Sequence, residues 1–451
     1  MISAARIDAR NLVLTELHLP AADERQLARW IPALGAVAAM APFLVCFAEF
    51  RKLFWFGDEW DQLKEVQRIG VWHYLVATFA ENFVPVFKGM WLFLIVAGRG
   101  SYLTLLAALW ATHALNVLLM GTALRRVGEH PAGIAVALVW VGLPASNIET
   151  LGWTVQWSPV LSLSFFLLAV LQFIRIVEQQ GRARTAFWLL AAASLGSSLS
   201  FSRGVLSGCA IASTCAVPAG IQTLPVRTRV LAAVAALLPT LGTGILIASS
   251  VEAAQQRVLQ PASVGKALEF AVHFFLLNPL QAMWDLRPGN SLLVLLGGIK
   301  LAIFGIALLA ARGAARWLVW LSLVLDASNA LLVGIGRYHT GVGAAVASRY
   351  QYAPLFCLAL PVAIVVQEIF GALRRVRYLG RAAAVAAPVV LAWFAWFVAS
   401  PWRDQMRSWS GWRGMEVRLL LQTKHDATLM PYVGGVSTAE ANALREEFHL
   451  H

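Results

Sequence analysis

Apolar runs near the ~20 residues needed to cross hydrocarbon recur along the chain, separated by short basic turns. Taken in order, they predict eleven membrane spans at about 30–50, 102–124, 131–147, 158–177, 186–201, 204–220, 229–250, 291–311, 317–335, 350–370 and 383–399. The run 84–97, "VPVFKGMWLFLIVA", is too short to span and is expected to lie at the interface or to re-enter. The run 186–220 could form one helix, but arginines flank both of its ends, so a hairpin turning near "FSRG" is expected instead. The 30–399 membrane domain therefore has an N-terminal segment, 1–29, before it and a polar tail, 400–451, after it. Two long loops, 51–101 and 251–290, interrupt it. The tail carries Ser437 and Glu440 at capping-box spacing ahead of a short helix.

Composition supports the same class. Of the 451 residues, 59% are hydrophobic and only 13% charged, with a mean hydropathy of +0.67. A soluble chain of this length could not cover so much apolar surface, so an all-α polytopic bundle is expected. The first apolar run opens at Trp30, behind a polar and basic segment, which is not the layout of a signal peptide.

The net charge of +12 would suggest nucleic acid in a soluble protein. Here the arginines occupy the short loops: Arg125 and Arg126; Arg175, Arg182 and Arg184; Arg227 and Arg229; Arg312 and Arg316; and Arg374, Arg375, Arg377 and Arg381. A cytoplasmic N-terminus puts all of them inside, as the positive-inside rule demands, and no nucleic-acid partner is implied. The loops 51–101 and 251–290, and the tail, then lie outside. The first loop holds six basic and five acidic residues, the second three of each. Cys46, Cys209, Cys215 and Cys357 all fall in apolar runs and show neither disulfide nor zinc spacing. No internal repeat of 20–50 residues is visible, nor a low-complexity tract, a nucleotide-sugar domain or a Gly-rich phosphate loop.

Against this background the stretch "FGDEWDQL" stands out, with Asp58, Glu59 and Asp61 just beyond the first span. The following "EWDQLKEVQRIGVWHYLVATF" can form a helix anchored in the headgroup zone by Trp60, Leu63, Val66, Trp72 and Tyr74. An acidic helix start on a solvated loop is the plain reading, because the helix dipole favours anions there. The chemical reading is that a positioned carboxylate accepts a proton from a hydroxyl nucleophile. Arg203, at the hairpin tip, and Arg349, at the start of a span, reach the same side, and an arginine fork suits a phosphate. A snorkelling role competes with that for Arg203. Glu149, Trp153, Gln156 and Trp157 combine aromatic faces with hydrogen-bonding groups that suit a carbohydrate ring, although interfacial tryptophans are expected in any case. His73, His113 and His339 read as ordinary interfacial or packing residues. Lys300 and Asp326 lie near the middles of consecutive spans and should meet as a structural ion pair, with a substrate-path role for Lys300 as the alternative.

The layout of a span, an outer acidic pair and a loop with juxtamembrane helices resembles the GT-C superfamily of integral-membrane glycosyltransferases. Four further stretches are similar to the same group. They are "ENFVPVFKGM" (with Asn82 where many relatives have His), "HALNVLL", "LPASNIETLGW" and "ASRYQYAP". Each motif is short; their order and common side carry the likeness, which runs from about Trp30 to Ser400. The resemblance implies transfer of a sugar from a polyprenyl-phosphate carrier to an envelope glycan or lipid on the periplasmic face of a bacterial inner membrane. It makes Asp58 the general base, with Glu59 orienting the acceptor or standing in for the base. Arg349, Tyr350 and Arg203 would hold the donor phosphate, and Asn82, Glu149, Trp153 and Gln156 would contact substrate. It implies no obligatory cofactor or metal. Asp58, Glu59 and Asp61 offer oxygen ligands suited to a divalent cation, but no histidine-rich set joins them. A transporter or flippase for a lipid-linked solute would instead show inverted repeats and paired broken helices. A noncatalytic subunit of an envelope assembly is the third reading.

Overall fold

The computed structural model describes residues 21–78, 82–182, 184–217, 224–250, 261–284, 290–375, 379–422 and 436–451. It is all-helical, with 87% helix and no strand among the described residues. Six helices are long and apolar enough to cross a membrane, or seven if the bent pair Pro131–Gly142 and Ala145–Gly152 is one span. The architecture is that of a multi-pass membrane protein.

In chain order the helices are α1 (Ala21–Val45), α2 (Phe47–Phe50), α3 (Asp58–Ile69), α4 (Val71–Val76), α5 (Pro85–Ala97), α6 (Tyr102–Arg126), α7 (Pro131–Gly142), α8 (Ile148–Gly152), α9 (Trp157–Glu178) and α10 (Arg184–Ser200). They continue as α11 (Val205–Ala216), α12 (Val226–Ser250), α13 (Pro261–Leu277), α14 (Leu280–Trp284), α15 (Asn290–Ala310), α16 (Gly313–Arg337), α17 (Tyr352–Arg375), α18 (Leu379–Ala399), α19 (Trp402–Gln422) and α20 (Thr438–Glu447). The six long apolar helices are α6, α9, α12, α15, α16 and α17. Helix α9 is the centre: 72% of its apolar window is buried, against 22% for α12 and 28% for α15, which turn most of their surface outward.

Small hydroxyl residues join the helices where apolar contact alone could not set the register. Ser162 Oγ donates to the Ser197 carbonyl at 2.8 Å, and Ser197 Oγ returns a bond to the Ser162 carbonyl at 2.9 Å, fastening α9 to α10. In a second node Asn116 of α6 donates to the Val160 carbonyl (2.8 Å) and to the Tyr352 hydroxyl (3.1 Å), and His113 meets the same hydroxyl at 2.9 Å. This ties α6, α9 and α17 together and gives His113 the packing role expected of it.

The predicted hairpin break is present: α10 stops at Ser200, a 3₁₀ turn covers Ser202–Gly204, and α11 follows. Gly204 is required there, since a Cβ would overlap the Ser197 backbone. The short run 84–97 forms the 13-residue α5, opened by Pro85 at its N-terminus.

Two segments differ from expectation. The single helix expected after Asp58 breaks at Gly70, whose φ of 76° no L-residue adopts easily. Its anchors also mostly face inward: Trp60, Leu63, Val66 and Tyr74 are buried, and only Trp72 is exposed. An isolated amphipathic helix on a membrane would look the same in sequence, but here a protein surface covers its apolar face.

The second difference is the 251–290 loop, which contains α13, packed along α16 and α15 with Phe270 and Phe274 fully buried. Its C-terminal end meets Lys300, ten residues into α15 and so about 15 Å along that helix. Lys300 Nζ donates to the Phe275 and Asn278 carbonyls at 2.5 and 2.7 Å and pairs with Asp326 at 2.5 Å. Both charged side chains are fully buried. The expected ion pair therefore also caps a helix whose last carbonyls would otherwise be orphaned inside the bundle.

Breaking such a pair from one side costs about 3–5 kcal/mol, because the remaining charge is stranded. Lys300→Met should show a loss of that order in thermal unfolding of detergent-purified protein. Lys300→Met with Asp326→Leu should recover part of it, the carbonyl caps remaining lost. A double variant as unstable as the two singles summed would mean that the residues are not coupled.

Candidate functional site

The 51–78 segment, α5, α8, the 338–351 turns and the tail helices gather at one end of the bundle, and Glu59 is where they are joined. Gly57, at φ 58°, turns the chain into α3, so that Asp58 begins the helix and Glu59 follows on its inner side. Glu59 is fully buried. Its carboxylate accepts from the Phe56 N–H at 2.7 Å, the Thr154 N–H at 3.0 Å and the Tyr102 hydroxyl at 3.1 Å, and also from the Thr154 hydroxyl. Burial pushes the Glu59 carboxyl above its usual range, while the charge of Arg413 and the hydrogen bonds from Thr154, Phe56 and Tyr102 pull it back. Both oxygens are engaged, which makes Glu59 a positioning residue for the loop that carries Asp58.

Arg413, contributed by α19 of the tail, completes this node. It is fully buried, 4.0 Å from Glu59, and donates to the carbonyls of Gly152 and Phe54 at 2.7 Å each and to the Tyr102 hydroxyl at 3.0 Å. The Gly152 carbonyl ends α8, so the guanidinium caps that short helix as well as countering Glu59. The rings of Phe56 and Tyr102 lie 4.7 and 5.5 Å from it. Lys88 performs a similar task nearby: fully buried, it donates to the Tyr74 and Ala77 carbonyls at 2.8 Å each, where α4 ends. Burial lowers its pKa to about 8.

Asp58 itself is half-buried at the first position of α3. Beside it the Phe56 carbonyl accepts from the Trp153 indole at 3.2 Å, linking the acidic loop to the segment after α8. Four residues back in α8, Glu149 meets Arg349. The guanidinium donates to Oε1 at 2.9 Å, while the Ser348 hydroxyl and the Arg349 N–H donate to Oε2 at 2.8 and 3.2 Å. Two residues predicted separately, one for substrate and one for phosphate, are thus brought together as an ion pair, with Arg349 still 38% exposed. Tyr350 packs under the Arg349 guanidinium at 5.1 Å.

Arg203 lies over the Phe201 ring and donates to the Asn329 side chain at 3.1 Å. It lines a small cavity of about 50 Å³ between α9, α10, α11, α16 and α17, together with Ser162, Ser197, Phe166, Leu206 and Leu325.

Asn82 is half-buried just ahead of α5, whereas Glu81 beside it lies outside the described residues. Gln156 is half-buried in the 3₁₀ turn Thr154–Gln156. Trp157 is buried in the first turn of α9, its indole bonded to Thr112 at 2.8 Å, so it is a packing residue rather than a sugar platform. Among the described residues, no group of three or more His, Cys, Asp or Glu side chains could hold a metal ion. The four cysteines are free thiols.

The tail is a clamp on this end rather than a loose appendage. Its capping box at Ser437 and Glu440 forms as expected, and Lys64 pairs with Glu440 at 2.9 Å. Gln67 bonds Glu447 at 2.7 Å. The backbones of Gly100 and Tyr102 exchange bonds with His451 at 3.1 Å each. Gly100, at φ 75°, lets the tail approach, since a Cβ there would overlap the His449 carbonyl. Arg413, Tyr102 and Thr154 were invisible as site residues in the sequence: they lie far from the acidic pair along the chain and match no motif spacing.

Compared with known proteins, the chain matches no family model and no curated protein.

Replacing Arg413 by Met should strand the buried Glu59 carboxylate and two carbonyls at once, at a cost of about 3–5 kcal/mol in chemical unfolding of the purified protein. Adding Glu59→Gln should return some of that loss. Wild-type stability in Arg413→Met would show that the node does not hold the loop.

Proposed function

We propose that this chain is a GT-C-like glycosyltransferase of a bacterial inner membrane. It moves a sugar from a polyprenyl-phosphate carrier to an envelope glycan or lipid on the periplasmic face. In this reading α1, α10, α11 and α18 join the seven apolar spans to make eleven, and the end carrying Asp58 faces the periplasm. The observation that supports the reading is that the loop bearing Asp58, tied through the Phe56 carbonyl to Trp153, and the Glu149–Arg349 pair gather at one end of the bundle. A donor with an anionic head and a sugar suits that arrangement: arginine forks for the phosphate and a carboxylate for the incoming hydroxyl.

The step follows from those roles. Asp58 accepts the proton of the acceptor hydroxyl as its oxygen forms a bond to the anomeric carbon. The bond from that carbon to the phosphate oxygen breaks, and the polyprenyl phosphate leaves with the electron pair, held by Arg349 and Arg203. A single displacement inverts the anomeric configuration. Glu149 aims Arg349, Tyr350 supports it, and Glu59 keeps Asp58 in place. Asn82, Trp153 and Gln156 are available to the sugar rings.

The rival reading, a transporter or flippase, draws on α13, whose carbonyls end inside the bundle beside a buried charge pair. Lys300 takes up those carbonyls itself, which favours a structural role there.

The test is release of polyprenyl phosphate from a labelled polyprenyl-phosphate sugar by purified protein supplied with envelope extract as acceptor. Asp58→Asn should fold normally and lose ~10²–10⁴-fold in rate, the usual worth of a general base. Arg349→Ala should weaken donor binding, and Arg349→Lys should restore only part of it, since an ammonium cannot make the fork contact. Undiminished release by Asp58→Asn would remove it as the base. Flipping of the labelled donor without sugar transfer would favour the transporter.

A further inference from the structure

At the end of the bundle opposite Asp58, α1, α6 and α7 enclose a cavity of about 200 Å³. Its floor and walls include Ile31 and Pro32 of α1, Gly121 and Thr122 of α6 and Leu138 of α7, and Arg125 stands at its rim. Gly121 lets α7 pack closely against α6 beside the cavity, since a Cβ there would press on Leu138 at 3.1 Å. Ile31 and Leu138 are buried beneath, while Arg125 is exposed. Arg29, also exposed, precedes Pro32 by three residues and so lies on the same side of α1. Arg126 follows in the last turn of α6, 3.9 Å from Glu178.

A space of this size exceeds the ~30 Å³ share of one water several times over, and its lining offers water few partners. A cation at the rim above an apolar floor matches an anionic amphiphile. We propose that this groove binds an anionic glycerophospholipid of the surrounding membrane. Its phosphate sits against Arg125 and Arg29, and the upper part of one acyl chain lies on Pro32 and Leu118. The occupant is a neighbouring lipid rather than a substrate, so the inference stands independently of the function proposed above.

Native mass spectrometry of the full chain, titrated with dioleoylphosphatidylglycerol or dioleoylphosphatidylcholine in detergent, tests this. Wild type should retain the glycerol lipid in preference to the choline lipid, with inorganic phosphate failing to displace it. Arg125→Gln, a surface change, should weaken retention about fivefold, the worth of one arginine at an anionic lipid surface. Thr122→Phe should block it by filling the groove. Equal retention of both lipids, or undiminished glycerol-lipid binding in Arg125→Gln, would overturn the proposal. Displacement by inorganic phosphate would reduce the site to a simple anion site and overturn it as well.

Discussion

Short helices that end inside an apolar bundle leave carbonyl groups with no water to bond them, and this fold meets that constraint with buried cations. Arg413 takes the end of α8 together with Phe54 of the first loop. Lys88 takes the end of α4, and Lys300 the end of α13. Each comes from a different helix than the one it caps, so each cap is also a tertiary tie. An unsatisfied buried carbonyl costs several kcal/mol in such surroundings. The irregular end of the molecule therefore depends on three long side chains reaching across. Glu59 and Asp326 supply the countercharges in two of the three sites, which explains why a chain so poor in charge keeps carboxylates in its interior.

That constraint shapes the candidate site. The loop bearing Asp58 is not held by its own helical propensity but by Glu59, Thr154, Tyr102 and Arg413, which come from four separate stretches of the chain. The adjacent ion pair between Glu149 and Arg349 orders the turn ahead of α17 in the same manner. Under the proposed reaction, a hydroxyl nucleophile and an anionic leaving group would need fixed partners at fixed separation, which is what such ties would serve. The tail, clasped to Gly100 and Tyr102 through backbone bonds, belongs to this framework.

Much of this was legible in sequence. Period, length and the arginine pattern located the long helices, the break near Arg203 and the meeting of Lys300 with Asp326, because each depends on local composition or on neighbouring spans. The acidic pair was also visible, but not which acid turns inward. Asp58 and Glu59 differ by one step around a helix, and only the packing partners decide. Arg413 escaped notice because its partners lie some 260 to 360 residues away, and Glu149 with Arg349 because the pairing spans 200 residues. The sequence reads 251–290 as an outer loop with three basic and three acidic residues, and helix α13 within it shows only through its packing against α15 and α16.

The most direct measurement is a density map of the full chain with a polyprenyl-phosphate sugar bound. The phosphate is expected within hydrogen-bond reach of Arg349 or Arg203, with the sugar's anomeric carbon facing the Asp58 carboxylate. A phosphate bound at a distance from both arginines, or a sugar turned away from Asp58, would contradict the proposed function.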